Sequence, residues 1–196
     1  LWHKDTDLKR SDLIVLPGGF SYGDYLRSGA IACISPIMKE IIKFANSGGY
    51  VLGICNGFQI LCESGLLPGS LLRNKKGLFV CKNIFLKTTN NNTILTRNIE
   101  KEKVLKIPIA HAEGRYFAKE ETLKEIVNNE QILFKYSDLQ GELKEEKNPN
   151  GSLLNIAGIC NINKNVFGMM PHPERASDKE LNNIQGKVLF ESILSF

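Results

Sequence analysis

Cys55 is the first residue in the sequence whose setting points to chemistry, because it falls between two different hydrophobic patterns. The apolar run at 50–54 predicts a buried strand, and the run at 58–61 begins the apolar face of a helix. Glycine at 53 and 57 leaves space for the tight strand-to-helix turn that presents a nucleophile outward. The free N–H groups and dipole of the following helix favour a thiolate there. We therefore predict that Cys55 is a nucleophile, the alternative being a buried structural cysteine.

A nucleophilic cysteine needs a base, and the segment Met169-Met-Pro-His-Pro-Glu-Arg175 offers one. In an extended segment the side chains of His172 and Glu174 leave the same face, so the carboxylate can hold one ring nitrogen while the other faces sulfur. The flanking prolines stiffen this backbone. The pattern predicts a triad of Cys55, His172 and Glu174. A structural His–Glu pair remains an alternative, whereas a metal site lacks a second His-rich or Cys-rich cluster.

A glycine pair follows another predicted strand, Leu13–Leu16, in the segment Pro17-Gly-Gly-Phe20. Such a pair lets backbone N–H groups converge on an anion, either a phosphate or the oxyanion of acyl transfer. The sequence has neither Gly-Lys-Ser/Thr at P-loop spacing nor Gly-x-Gly-x-x-Gly here, so an oxyanion hole is the better expectation. A simple turn is the alternative.

These segments belong to a predicted α/β fold. A strand, a helix ending near Gly48, the strand before Cys55 and the next helix make a βαβ pattern, which implies a parallel sheet with sites at the carboxyl ends of its strands. Residues 66–108 are expected to add an antiparallel segment. The other expected elements are strands at 78–87, 104–108 and 131–136, a helix at 121–130, an exposed loop at 144–151 and a hairpin of 153–160 with 166–170. No repeat or linker appears, so one domain is expected over 1–196.

Composition narrows the class of protein. The 196 residues are 42% hydrophobic and 23% charged, with a net charge of +4 and mixed lysines and acids, which gives little support for nucleic-acid binding. Five cysteines without Cys-x-x-Cys pairs argue against a disulfide framework and a zinc site. No apolar run approaches the roughly 20 residues of a membrane span and no signal peptide opens the chain, so we expect a cytoplasmic protein. His111, in the polar stretch after a strand, is either a ligand contact or a hydrogen-bonded loop residue.

The motifs together resemble a known family. Gly53-Ile-Cys-Asn-Gly-Phe-Gln59 and Pro171-His-Pro-Glu174 resemble the triad class of glutamine amidotransferases. Leu16-Pro-Gly-Gly-Phe-Ser-Tyr-Gly-Asp24, Ile107-Pro-Ile-Ala-His-Ala-Glu-Gly-Arg-Tyr116 and Asn148-Pro-Asn-Gly-Ser152 are similar, within that class, to the small-subunit glutaminases of phosphoribosylformylglycinamidine synthase. The likeness covers essentially the whole chain.

The resemblance implies a fold, an activity and a set of roles. The fold is flavodoxin-like, a doubly wound and mostly parallel sheet with an added antiparallel segment. The activity is hydrolysis of glutamine, whose ammonia passes to a separate synthetase that carries ATP and Mg²⁺ and works with a small third protein. That synthetase converts formylglycinamide ribonucleotide to the amidine in purine biosynthesis, and this chain itself needs no cofactor or metal. The implied roles are Cys55 as nucleophile, His172 as base and then acid, Glu174 as orienter, backbone N–H groups of Gly19 and Asn56 as oxyanion hole, and Gly18, Phe20, Gln59 and His111 as substrate contacts.

One further expectation and three alternative functions remain open. The chain begins without methionine, at what looks like the end of an element, so we expect that an N-terminal strand and helix are missing and that the chain is poorly stable alone. A hydrolase or peptidase on the same scaffold, another amidotransferase and a non-catalytic scaffolding subunit are the alternative functions.

Overall fold

A seven-stranded mixed sheet forms the centre of the fold, which the computed structural model describes from residue 1 to residue 195. The strands are β1 (Leu13–Leu16), β2 (Tyr50–Ile54), β3 (Ser70–Leu72), β4 (Val80–Thr88), β5 (Val104–His111), β6 (Arg115–Phe117), β7 (Ile132–Ser137), β8 (Ile156–Cys160) and β9 (Val166–Met169). The helices are α1 (Pro36–Asn46), α2 (Asn56–Glu63), α3 (Glu120–Asn128) and α4 (Lys187–Leu194). The large sheet has the order β1-β2-β9-β8-β7-β4-β5, and β3 pairs with β6 separately.

The centre of the large sheet is buried on both faces. Every residue of β8 and β9 is buried, as are the last four of β2, which explains why these strands are continuous apolar runs without alternation. Helix α1 covers β2 with an apolar stripe that includes Ile37 and Ile41, at the helical spacing that the sequence predicted. In the part of the chain from 1 to 195, no helix is both long and apolar enough to cross a lipid bilayer.

The expected α/β fold with an added antiparallel segment is confirmed, but that segment is larger than expected. Among the described pairs of the large sheet, only β1 with β2 and β2 with β9 are parallel. The pairs β9–β8, β8–β7, β7–β4 and β4–β5 are antiparallel, so the sheet is mixed where a mostly parallel one was predicted. Strand direction depends on which partners meet across the sheet, and a fully buried run carries no sign of it.

The predicted loop at 144–151 is not exposed throughout. Asn150 is 2% exposed, and its side-chain amide donates to the carbonyl oxygen of Gly114 at 2.7 Å and to Tyr136 Oη at 3.2 Å. Polar composition favoured a surface loop, but the amide is buried at little cost because its hydrogen bonds are satisfied inside the protein.

One buried side chain ties together the strands that precede the candidate site. Asn165, just before β9, donates through Nδ2 to the carbonyl oxygens of Ala45 and Gly49, each at 2.8 Å, and accepts from Asn161 Nδ2 at 2.9 Å. These bonds connect the end of α1 and the turn before β2 to the start of β9. The register of β2 against β9 is thereby fixed at the end opposite to Cys55.

We expect Asn165→Ala to lower the free energy of unfolding by about 2 to 3 kcal/mol, because it leaves buried carbonyl groups without donors. Denaturant unfolding followed by circular dichroism measures this. Asn163→Ala, at an exposed position in the same turn, is the matched control and should change stability by less than about 0.5 kcal/mol. Equal effects of the two substitutions would contradict the assignment.

Candidate active site

The strand-to-helix turn at Cys55 has the strained geometry that its flanking glycines predict. Cys55 lies between β2 and α2 with φ 51° and ψ −104°, a conformation that side-chain-bearing residues rarely adopt. A Cβ on Gly57 would come within 2.1 Å of the Leu16 carbonyl oxygen, and one on Gly53 within 2.6 Å of the Gly57 carbonyl carbon. The first turn of α2 therefore packs directly on the ends of β1 and β2, and only glycine permits that approach.

The Cys55 thiol is held largely out of solvent. The residue is 6% exposed, and its Sγ lies 3.8 Å from the carbonyl oxygen of Ala110. Burial raises the pKa of Cys55 to about 11, although the Asn56 N–H and the charge of Arg175 act in the opposite direction. The expected preference for a thiolate is therefore wrong for this state of the site: the helix terminus does favour the anion, but desolvation outweighs it. A base must take the proton when the sulfur reacts.

His172 is placed to be that base. Its backbone N–H donates to the Pro108 carbonyl oxygen at 2.8 Å, and its Nδ1 lies 2.6 Å from Glu174 Oε1. An ionised carboxylate only accepts, so Nδ1 carries the proton and Nε2 has the free lone pair. Nε2 is buried, and within residues 1–195 it has no hydrogen-bond partner.

The backbone of the His-Pro-Glu segment differs from the expected extended form. His172 itself has φ −104° and ψ 85°, but Pro173–Ala176 form a 3-10 turn. Proline suits the first position of such a turn because its φ is already helical and it has no N–H to satisfy. The turn, and not an extended strand, brings the Glu174 carboxylate to the ring of His172.

Gly18 has no side chain, and this leaves space for both the Cys55 and the His172 side chains. A Cβ at Gly18 would lie 2.7 Å from His172 Cε1 and 3.5 Å from Cys55 Cβ. Both side chains thus pack against Gly18, and a larger residue there would collide with the ring of His172. Gly18 is not among the described residues that line the cavity, so its predicted contact with the substrate stays a prediction.

Thiol and imidazole open onto a cavity of about 410 Å³, large enough for an amino acid. Five residues predicted for catalysis or substrate contact, and Gly19 from the predicted oxyanion hole, line it. The full lining is Gly19, Phe20, Asp24, Ser28, Cys55, Gln59, Phe79, Cys81, Ala110, His111, Ala112, Glu113, His172 and Arg175. No group of three or more His, Cys, Asp or Glu side chains suited to a metal ion occurs in the described chain.

Gly19 and Asn56 are the two residues whose backbone N–H groups are predicted to form an oxyanion hole. Gly19 lines the cavity with φ 151°, a value that favours glycine, and Asn56 begins α2 beside Cys55. The Asn56 side chain is occupied, since its Nδ2 donates to Gln59 Oε1 at 2.8 Å and its Oδ1 accepts from the Ser21 N–H at 3.3 Å. Only the main-chain N–H of Asn56 is therefore available to an oxyanion, and this role remains a prediction.

Gln59 and His111 both line the cavity but differ in what they can offer a ligand. Gln59 Nε2 donates to the Glu113 carbonyl oxygen at 2.6 Å, and its Oε1 accepts from Asn56 Nδ2 at 2.8 Å, so both of its amide atoms bind protein. His111 Nδ1 pairs with Asn74 Oδ1 at 3.2 Å, while its buried Nε2 has no partner in the described chain. Burial lowers the pKa of His111 to about 4, which keeps the ring neutral.

Sequence reasoning missed an acidic part of the cavity. Ser28 Oγ donates to Glu113 Oε2 at 2.6 Å across 85 positions of sequence, and Asp24 lies in the same wall. Glu113 lies in the same polar stretch after a strand as His111, and Asp24 and Ser28 follow the strand Leu13–Leu16. Position after a strand was the only available signal, because nothing in the sequence shows which distant side chains meet.

The chain was compared with known proteins. Residues 1–191 match the model of the CobB/CobQ-like glutamine amidotransferase domain. A protein of Synechocystis sp., named phosphoribosylformylglycinamidine synthase subunit PurQ, is 57% identical over 98% of this chain and 86% of its own length. A protein of the same name from Aquifex aeolicus is 55% identical over 100% of this chain and 86% of its own length.

Solved structures give the same picture. A chain in the structure of PurLQS from Thermotoga maritima has a TM-score of 0.85 and 45% identity, and the match covers 97% of this chain and 82% of that one. A glutamine amidotransferase from Thermotoga maritima, at a TM-score of 0.52 and 18% identity, shares the fold; the match covers 95% of this chain and 72% of that one.

The raised pKa of Cys55 predicts a specific pH profile for alkylation by iodoacetamide. Since the thiolate is the reactive form, the rate at Cys55 should rise about tenfold per pH unit from pH 7 to 10 without a plateau. Peptide mass spectrometry of timed samples measures it. Cys81, an exposed thiol in the same cavity, is the internal reference for reagent access. A plateau below pH 8 at Cys55 would show that the free site already holds a thiolate.

Proposed function

The chain belongs to the CobB/CobQ-like glutamine amidotransferase domain family, and from that premise we propose that it hydrolyses glutamine as the glutaminase subunit of phosphoribosylformylglycinamidine synthase. One observation carries the proposal: a strained Cys55 and a His172 held by Glu174 pack around the same glycine and open onto one cavity of amino-acid size. The names of relatives that are more than half identical over nearly the whole chain support the choice of this synthase.

The first half of the reaction forms a thioester. Cys55 Sγ attacks the side-chain carboxamide carbon of glutamine, and its proton moves to Nε2 of His172. Backbone N–H groups of Gly19 and Asn56 donate hydrogen bonds to the carbonyl oxygen and stabilise the negative charge that develops on it. His172 then gives its proton to the amide nitrogen, the carbon–nitrogen bond breaks, and ammonia leaves.

The second half releases glutamate. Water attacks the thioester carbon while Nε2 of His172 accepts one of its protons, and collapse of the second tetrahedral anion expels the Cys55 sulfur, which recovers its proton from His172. Glu174 stabilises the imidazolium in both halves and keeps Nδ1 as the protonated nitrogen. The raised pKa of the free thiol favours proton transfer to His172 as the sulfur attacks carbon.

The ammonia is proposed to pass to a synthetase subunit that carries ATP and Mg²⁺ and converts formylglycinamide ribonucleotide to formylglycinamidine ribonucleotide. The multi-subunit name of the Thermotoga maritima structure, PurLQS, supports a complex with a synthetase and a small third subunit. This chain supplies no P-loop sequence of its own. Co-purification with this synthetase would support the proposal. Co-purification with the synthetase of another amidotransferase would favour that alternative function.

Cys55→Ser should lower kcat for glutamine hydrolysis by more than about 10³-fold, because a serine hydroxyl is a far weaker nucleophile in this setting. Glutamate release, measured in the assembled complex, gives the rate. Cys62→Ser, on helix α2 but outside the cavity, is the control and should stay within about twofold of the wild type. A comparable loss in both variants would mean that the nucleophile is misassigned, and hydrolysis of peptides or esters but not glutamine would favour a peptidase.

Glu174→Gln should lower kcat by about 10² to 10⁴-fold with little change in KM, since the amide can hold the ring but cannot stabilise the imidazolium or enforce its tautomer. Steady-state glutaminase kinetics measure both constants. Glu180→Gln removes the same charge from an exposed position six residues on and should leave both constants unchanged. A rise in KM at constant kcat would assign Glu174 to substrate binding instead.

A further inference from the structure

The mechanism above leaves two carboxylates of the cavity wall without a task. Glu113 Oε2 accepts the hydroxyl proton of Ser28 at 2.6 Å, and Asp24 lies beside this pair. Neither carboxylate has a lysine or arginine within ion-pairing distance anywhere in residues 1–195. The cavity wall thus holds two carboxylates that form no ion pair within the described chain.

The hydrogen bonds around Ser28 do not remove this charge. A serine hydroxyl has one proton, so it can satisfy only one carboxylate oxygen at a time. Asp24 also accepts from the Gly29 N–H, and more distantly from Asn56 Nδ2 at 3.5 Å. Burial, together with the charge of Glu113, raises the pKa of Asp24. A cation between the two carboxylates would relieve both effects.

Glu113 is also fixed in position relative to the nucleophile. Its carbonyl oxygen accepts from Gln59 Nε2 at 2.6 Å, and Gln59 in turn is held by Asn56, the residue after Cys55. On the other side, the Cys55 sulfur lies 3.8 Å from the carbonyl oxygen of Ala110, three residues before Glu113. The Cys55 sulfur and the Glu113 carboxylate therefore both belong to the surroundings of residues 110–113.

We propose that Glu113 and Asp24 bind the α-ammonium group of glutamine, an inference that rests on the proposed glutaminase function. An ammonium offers three N–H donors, and charge-assisted bonds to two carboxylates suit it. The buried Nε2 of His111, which has no partner within the described chain, is a further acceptor in the same cavity. Gln59 then acts through Glu113 and does not itself contact the substrate.

The cavity also contains one positively charged side chain, which suits the α-carboxylate of an amino acid. Arg175 is the only lysine or arginine among the described residues that line it, and its side chain is half exposed. Its positive charge suits the α-carboxylate of glutamine, which must enter with the α-ammonium. The arrangement selects free glutamine over simple amides, because an amide without an α-ammonium would leave two carboxylates unpaired.

The test compares glutamine with glutaramate, the same amide without the α-amino group, in the assembled complex. Glu113→Gln should raise KM for glutamine about 10²-fold with kcat nearly unchanged, and should shrink the preference for glutamine over glutaramate by a similar factor. Asp24→Asn should act in the same direction. Ser28→Ala, which only frees the Glu113 side chain, should raise KM less.

Controls separate this inference from folding and from the proposed function. Glu121→Gln removes a charge from an exposed position on α3 and should leave both constants unchanged, while Glu113→Asp should restore part of the preference. Thermal unfolding shows whether each variant is folded. If the wild type hydrolyses glutamine but folded Glu113→Gln and Asp24→Asn keep its KM and preference, the inference is wrong and the proposed function stands. A wild type that does not hydrolyse glutamine overturns both.

Discussion

The structure depends on one close approach, that of the first turn of α2 to the end of β1. Gly57 lies so near the Leu16 carbonyl that any side chain would collide with it, and Cys55, two residues earlier, has a strained φ and ψ. Strain of this kind persists only where the surroundings determine it, and here the parallel strands β1, β2 and β9 do so. This approach brings the start of α2, which follows directly on Cys55, against the end of β1.

Burial and reactivity compete at the nucleophile. A thiol enclosed by protein is a poor source of thiolate, and the pKa of about 11 shows that one helix terminus does not reverse this. Enclosure nevertheless has a benefit, because hydrogen bonds that stabilise an oxyanion are stronger where bulk water is excluded. In the proposed mechanism the His172–Glu174 pair reconciles burial with reactivity, because His172 accepts the proton as the sulfur attacks.

The sequence predicted the local features of this protein better than the distant ones. The strand, the glycines and the helix around Cys55 form one contiguous pattern, and so do His172 and Glu174, which meet at 2.6 Å as expected, although through a 3-10 turn. The contact of Ser28 with Glu113 and the direction of β7, β8 and β4 depend on tertiary pairing and left no periodic signal. The pKa of Cys55 was mispredicted because burial depends on the whole fold, whereas a helix terminus can be read locally.

The proposed function is tested most directly by whether Cys55 carries the acyl group during turnover. The complex would be mixed with glutamine, quenched in acid within the steady state, and digested for peptide mass spectrometry, with Cys55→Ser treated in parallel. We predict a glutamyl thioester on the peptide that contains Cys55, absent from the variant and lost on treatment with hydroxylamine. Steady release of glutamate with no acyl group on Cys55, or with one on another cysteine, would contradict the account.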